Sequence, residues 1–89
     1  SRKESSAASD VYKRQIIALA HFKEESAIPE LKEVALNDPR PMIRGTAYWA
    51  IGQILEDDAI SFIDEHYENE IEEVQLEMKK GLQMRREQK

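Results

Sequence analysis

The stretch LKEVALNDPRPMIRGTAYWAIGQI, residues 31–54, decides how the rest of this 89-residue chain is read. Within it Ile43, Ala47, Ala50, Ile51 and Ile54 fall at steps of three and four, the spacing that puts side chains on one face of an α-helix. A helix with one buried stripe is therefore predicted over residues 43–55. Its start is marked by Asp38, Pro39 and Pro41, because proline fits a helix's first turn and disfavours helix in the residue before it. Gly52 lies inside the stripe, where glycine costs about 1 kcal/mol relative to alanine, so close approach to a neighbouring helix is expected there. Just upstream, Ile28, Leu31, Val34 and Ala35 make a second stripe, with Ser26 as candidate N-cap and Pro29 in the first turn.

Working outward, Ile16, Ile17, Leu19, Ala20 and Phe22 form a shorter apolar helix before these two. Downstream, Asp57 or Asp58 is positioned to cap a helix carrying Ile60, Ile63 and Tyr67. Ile71, Val74, Met78 and Leu82 form a last stripe, with acids in its first turn and bases near its end, both favourable to the helix dipole. Five helices and no strand are expected. At an offset of 32 residues Ala18-Leu19-Ala20-His21-Phe22 aligns with Ala50-Ile51-Gly52-Gln53-Ile54, and Glu24-Glu25-Ser26-Ala27-Ile28 with Glu56-Asp57-Asp58-Ala59-Ile60. A helical hairpin repeated at this spacing indicates an all-α solenoid of about two hairpins plus a terminal helix. Such arrays normally need about three repeats to be stable, so marginal stability is expected for this one.

The flanks differ from this pattern. Ser5 to Gln15, SSAASDVYKRQ, shares no pattern with the downstream residues and is similar, residue for residue, to the translation of an adaptor used in transposon-based sequencing libraries. Residues 1–15 are thus expected to be a non-native leader, residues 16–82 the repeat domain, and residues 83–89 a basic C-terminal end. Asp10 could cap an extension of the first helix that Val11 and Gln15 continue.

Composition narrows the function. With no cysteine in the chain, a disulfide framework, a thiolate zinc site and an iron–sulfur cluster ligated from within are excluded. His21 and His66 stand apart from any ligand spacing, so no metal is expected. The longest apolar runs fall far short of the roughly 20 residues of a membrane span, and a cytoplasmic location is expected. Residues 16–89 hold nine bases against sixteen acids, and residues 56–77 contain ten acids with no Lys or Arg. Contact with nucleic acid would have to avoid that segment, since polyphosphate binding needs clustered cations.

Residues 31–54 resemble a HEAT-like repeat: a second helix, an Asp in the turn, an apolar–Arg pair opening the next helix, then a small–large–Gly ending. More narrowly, residues 16–54, and DPRPMIRGTAYWAIG above all, resemble the C-terminal HEAT-like region of the bacterial epoxyqueuosine reductase family, which acts in tRNA queuosine biosynthesis. The resemblance implies a full-length oxidoreductase dependent on cobalamin and two 4Fe-4S clusters, whose cysteine-rich segment lies upstream. For this chain it implies an accessory, non-catalytic role, with the upstream domains of the same enzyme and the tRNA anticodon region as partners.

Arg40 and Arg44 flank the turn that opens the helix predicted over residues 43–55, where side chains and backbone N–H groups can meet phosphate oxygens. In HEAT-like repeats the turn Asp and the Arg six residues later pair with each other and with neighbouring turns, and Asp38 and Arg44 have that spacing; Arg44 is either that structural partner or a phosphate ligand. Arg40 has no partner fixed by the pattern. Lys79, Lys80, Arg85 and Arg86 are further tRNA-contact candidates, or simply a solvated helix end. Tyr48 and Trp49 are expected to pack between helices; stacking on a base is the alternative. The other class of function is a HEAT-type protein–protein interaction scaffold, in which further repeats would accompany these.

Overall fold

A computed structural model describes the backbone of residues 2–87 and the side chains of residues 10–81. Among the described residues it contains five α-helices and no strand: α1 (Arg2–His21), α2 (Ile28–Asn37), α3 (Pro41–Leu55), α4 (Asp57–Tyr67) and α5 (Glu72–Glu87), with a 3₁₀ turn at Glu25–Ala27. The number and type of elements are those the periodicity predicts.

Helix α3 is the centre of the molecule and packs against each of the other four helices. The expected stripe of Ile43, Ala47, Ala50, Ile51 and Ile54 is buried, but Gly45, Thr46, Tyr48 and Gly52 are buried with it. A helix enclosed on most sides has no wide polar face. The single-stripe expectation is corrected accordingly: neighbours on three sides, α1, α2 and α5, demand more apolar surface than one stripe supplies. Leu31 and Ala35 of α2, Ile63 of α4, Val74 and Met78 of α5, and Ile16 and Ala20 of α1 complete the core.

The glycines set how near α5 comes. A Cβ at Gly52 would lie 3.8 Å from the Gly81 Cα and 3.7 Å from the Ile63 side chain, so the expected close approach exists but still leaves room for a methyl. Gly45, which the sequence did not single out, is tighter: a Cβ there would fall 2.9 Å from the Glu77 Cγ and 3.2 Å from its Cβ.

Several expected positions move. Ser26 does not cap α2; the N-cap is Ala27, with no side-chain cap bond, because the 3₁₀ turn precedes the helix. The Ser26 hydroxyl instead donates to Glu24 Oε2 at 2.6 Å. Neither Asp57 nor Asp58 caps α4: both lie in its first turn, and Glu56 is the N-cap without a side-chain bond. Asp10 lies inside α1, which begins at Arg2. Ile17, Phe22 and Ile71 are exposed rather than core. Phe22 and Ile71 fall just outside the helices they were assigned to, and Ile17 sits at an open cleft that it lines with Thr46, Trp49 and Glu77. The Leu82 side chain is outside the described residues.

The turns within hairpins share a device. Among the described residues, Lys23 and Glu56 are the two non-glycine residues with positive φ, 51° and 57°, and their side chains form an ion pair that joins successive hairpins. Between α4 and α5, Gln75 Nε2 donates at 2.7 Å to the Tyr67 carbonyl, which also accepts from the Glu70 backbone N–H at 3.2 Å, so the two ends of the turn are tied together.

Candidate functional site

The α2–α3 turn is built by its own side chains. Asp38 leaves α2 in an extended conformation and Arg40 precedes Pro41 as the N-cap of α3. Asp38 Oδ1 accepts from the Arg40 backbone N–H at 2.9 Å and from Arg40 Nε at 3.0 Å. Asp38 Oδ2 accepts from Arg40 Nη2 at 3.0 Å. This two-pronged pairing matches the planar fork of guanidinium to a carboxylate. The bonds from Arg40 hold the Asp38 carboxyl below its ordinary range against the opposing effect of burial. The same bonds raise Arg40 above its own. The Arg40 guanidinium also lies over the Tyr12 ring, 5.4 Å from its centroid, a cation–π contact.

Arg44, one helical turn on, faces inward. Its Nη1 donates to the Asp38 backbone carbonyl at 2.8 Å. Its Nε and Nη2 donate to Glu70 Oε2 and Oε1 at 3.0 and 3.2 Å. The side chains of Arg44 and Glu70 are only 16% and 10% exposed, so this pair is shielded from solvent. The expected Asp38–Arg44 pairing is therefore corrected: Arg44 takes the Asp38 carbonyl, while the carboxylate is claimed by Arg40, which the pattern had left without a partner. Glu70, in the α4–α5 turn, was missed. A signal for it existed, since it stands 32 residues after Asp38, the repeat offset itself.

The other cations are dispersed. Lys79 lies over the Tyr67 ring at 5.9 Å, and Lys80 pairs with Glu77 at 3.1 Å in an exposed contact. The side chains of Arg85 and Arg86 lie outside the described residues. Tyr48 is buried and Trp49 partly so, in keeping with packing between helices. Among the described residues, no group of three or more His, Cys, Asp or Glu side chains is placed to hold a metal ion, and no helix is long and apolar enough to cross a membrane.

Stacked hairpins joined by a turn Asp and an Arg that reaches the next turn define a class, and residues 3–82 match the family of HEAT repeats. The chain belongs to that family. In particular, it is 60% identical over 77 residues to the epoxyqueuosine reductase of Staphylococcus aureus, a match covering 86% of this chain and 20% of that protein. It is 47% identical over 75 residues to the Bacillus subtilis epoxyqueuosine reductase, covering 83% and 19% of the two. The crystal structure of a selenomethionine-labelled epoxyqueuosine reductase matches with a TM-score of 0.74 at 49% identity, over 80% of this chain and 19% of that one. The chain thus spans about one fifth of the length of these relatives. The HEAT match begins at residue 3, inside the stretch expected to be a leader, and the comparisons lend that expectation no support.

Proposed function

We propose that this chain serves as the HEAT-repeat segment of an epoxyqueuosine reductase-type enzyme of the cytoplasm, where it helps hold the tRNA and carries no catalysis alone. The observation that carries the proposal is the 60% identity to the Staphylococcus aureus enzyme, sustained over 77 residues. Arg40 is the leading contact to phosphate: its side chain is 42% exposed and its direction is set by Asp38 and Tyr12, so little freedom is lost on binding. Lys79, Lys80, Arg85 and Arg86 would add charge from α5. Arg44, paired and turned inward, holds the turn instead. The cobalamin and the two 4Fe-4S clusters that the resemblance implies belong to the rest of such an enzyme; with no cysteine, this chain offers no thiolate to a cluster.

The test is a chimera in which residues 16–82 of this chain replace the matching segment of the Staphylococcus aureus enzyme. Reductase activity and tRNA affinity are expected to stay within about threefold of the parent, a difference of well under 1.4 kcal/mol. A folded chimera that no longer binds tRNA would sink the proposal. Within the chimera, Arg40→Ala is expected to weaken tRNA binding roughly three- to tenfold and to lower the salt dependence by about one phosphate contact. An unchanged salt slope would remove Arg40 from the interface.

A further inference from the structure

The pairing that shields Arg44 has a counterpart one repeat earlier. Shifting Arg44 and Glu70 back by 32 residues gives Tyr12 and Asp38, both inside the residues 3–82 that match the HEAT family. In the second hairpin the helix residue at this position reaches the acid of the turn that follows, since Arg44 Nε and Nη2 donate to Glu70 at 3.0 and 3.2 Å. In the first hairpin the position is held by Tyr12, and a neutral phenol cannot form the ion pair. Arg40 supplies the missing charge. Its fork engages the Asp38 carboxylate while its guanidinium lies over the Tyr12 ring, 5.4 Å from the centroid. The second turn has no such option, because the residue 32 positions after Arg40 is an acid, Glu72.

The two arginines differ accordingly in what they offer a ligand: the Arg44 side chain is 16% exposed and that of Arg40 42%. Tyr12 itself is anchored. It is partly buried against the core and lines a small cleft between α1 and α2 with Ile16, Leu19, Leu31 and Val34. Burial, and then the carboxylates of Glu30 and Asp38, raise its hydroxyl above the ordinary tyrosine range against the pull of Arg40. The ring therefore stays neutral and presents its π-face to the cation.

We propose that Tyr12 is the positioning residue for Arg40: standing where the next hairpin has its inward arginine, it leaves the Asp38 carboxylate to Arg40 and props that guanidinium at the surface, available to a tRNA phosphate. The inference rests on the reading of Arg40 as a phosphate contact and adds what holds it ready. An arginine at position 12 is the opposite setting of the same device. It would take the Asp38 carboxylate as Arg44 takes that of Glu70, and Arg40 would lose its hold on the turn.

The experiment compares the full chain with its Tyr12→Phe, Tyr12→Leu and Tyr12→Arg variants. Two quantities are read: the exchange of the Arg40 Nε–H with water by NMR, its signal assigned with Arg40→Ala, and the affinity for a tRNA transcript over a salt series. Phenylalanine keeps the ring, so both are expected to match the parent. Leucine keeps the apolar anchor and removes the π-face; the Arg40 Nε–H is expected to exchange faster, and tRNA affinity to fall about two- to fivefold. In an Arg40→Ala background Tyr12→Leu is expected to have no further effect on tRNA, a non-additivity that a general loss of stability does not produce. Tyr12→Arg is expected to abolish the protection of the Arg40 Nε–H and to create a protected signal from the introduced side chain. An Arg40 Nε–H indifferent to both Tyr12→Leu and Tyr12→Arg overturns the positioning role, whatever the tRNA data show. If that signal responds but Arg40→Ala leaves tRNA affinity and its salt slope unchanged, Tyr12 orients Arg40 and it is the phosphate reading that falls.

Discussion

Arg44 touches both of the turns that bracket the second hairpin, and its removal leaves Glu70 nearly buried without a counter-charge. Breaking a shielded pair from one side costs about 3 kcal/mol or more, so Arg44→Ala is expected to lower the urea midpoint sharply. Arg44→Lys is expected to recover only part of the loss, because a single ammonium cannot copy the forked contact. Asp38 acts differently. Its carboxyl is held below its ordinary range by Arg40, so it contributes stability that is present above its unfolded value, about 3.9, and is lost as pH falls through the lower folded value. Asp38→Asn should flatten that acid-side slope in a pH series of unfolding midpoints; an unaltered slope would show that the Asp38–Arg40 bonds do not contribute. The spacing of Asp38 and Arg44 was legible in the sequence because local turns repeat their chemistry. The exchange of partners was not, because two arginines four residues apart compete for one carboxylate and only the folded backbone settles which reaches it.

At the scale of elements, the helices announce themselves through periodicity, but their contact distances do not. Gly45→Ala is expected to destabilise the fold by roughly 1–3 kcal/mol, since the new methyl meets the Glu77 stem and α5 must shift. Gly52→Ala meets its neighbours at ordinary contact distance, and the helix gains up to about 1 kcal/mol of propensity; it should be neutral or stabilising. Equilibrium denaturation of the pair separates the two, and a reversed order would mean that α5 is not seated as described. Capping was the least legible feature. Ser26, Asp57 and Asp58 are suitable cap residues by type, but a 3₁₀ turn and a positive-φ Glu56 place each of them one position or more from the cap.

Across the whole molecule, α3 packs against all four of the other helices, so the array has one shared centre rather than a chain of equal interfaces. Hydrogen exchange should be slowest for the amides of Ala47, Ala50 and Ile51 in α3 and fastest in the Glu25–Ala27 and α4–α5 turns; uniform protection would contradict a centre of this kind. In a nearest-neighbour array, opening spreads from the outer elements inward. The sequence by itself determined the all-α class, the five helices, the 32-residue repeat and the exclusion of cysteine-based chemistry, because these follow from local periodicity and composition. Tertiary structure alone decided that α3 is enclosed, that Gly45 is the tighter contact, that Arg40 rather than Arg44 holds the Asp38 carboxylate, and that Glu70 enters the turn network. Each of those depends on which groups from distant parts of the chain are brought within a few ångströms, and packing, not local preference, sets that distance.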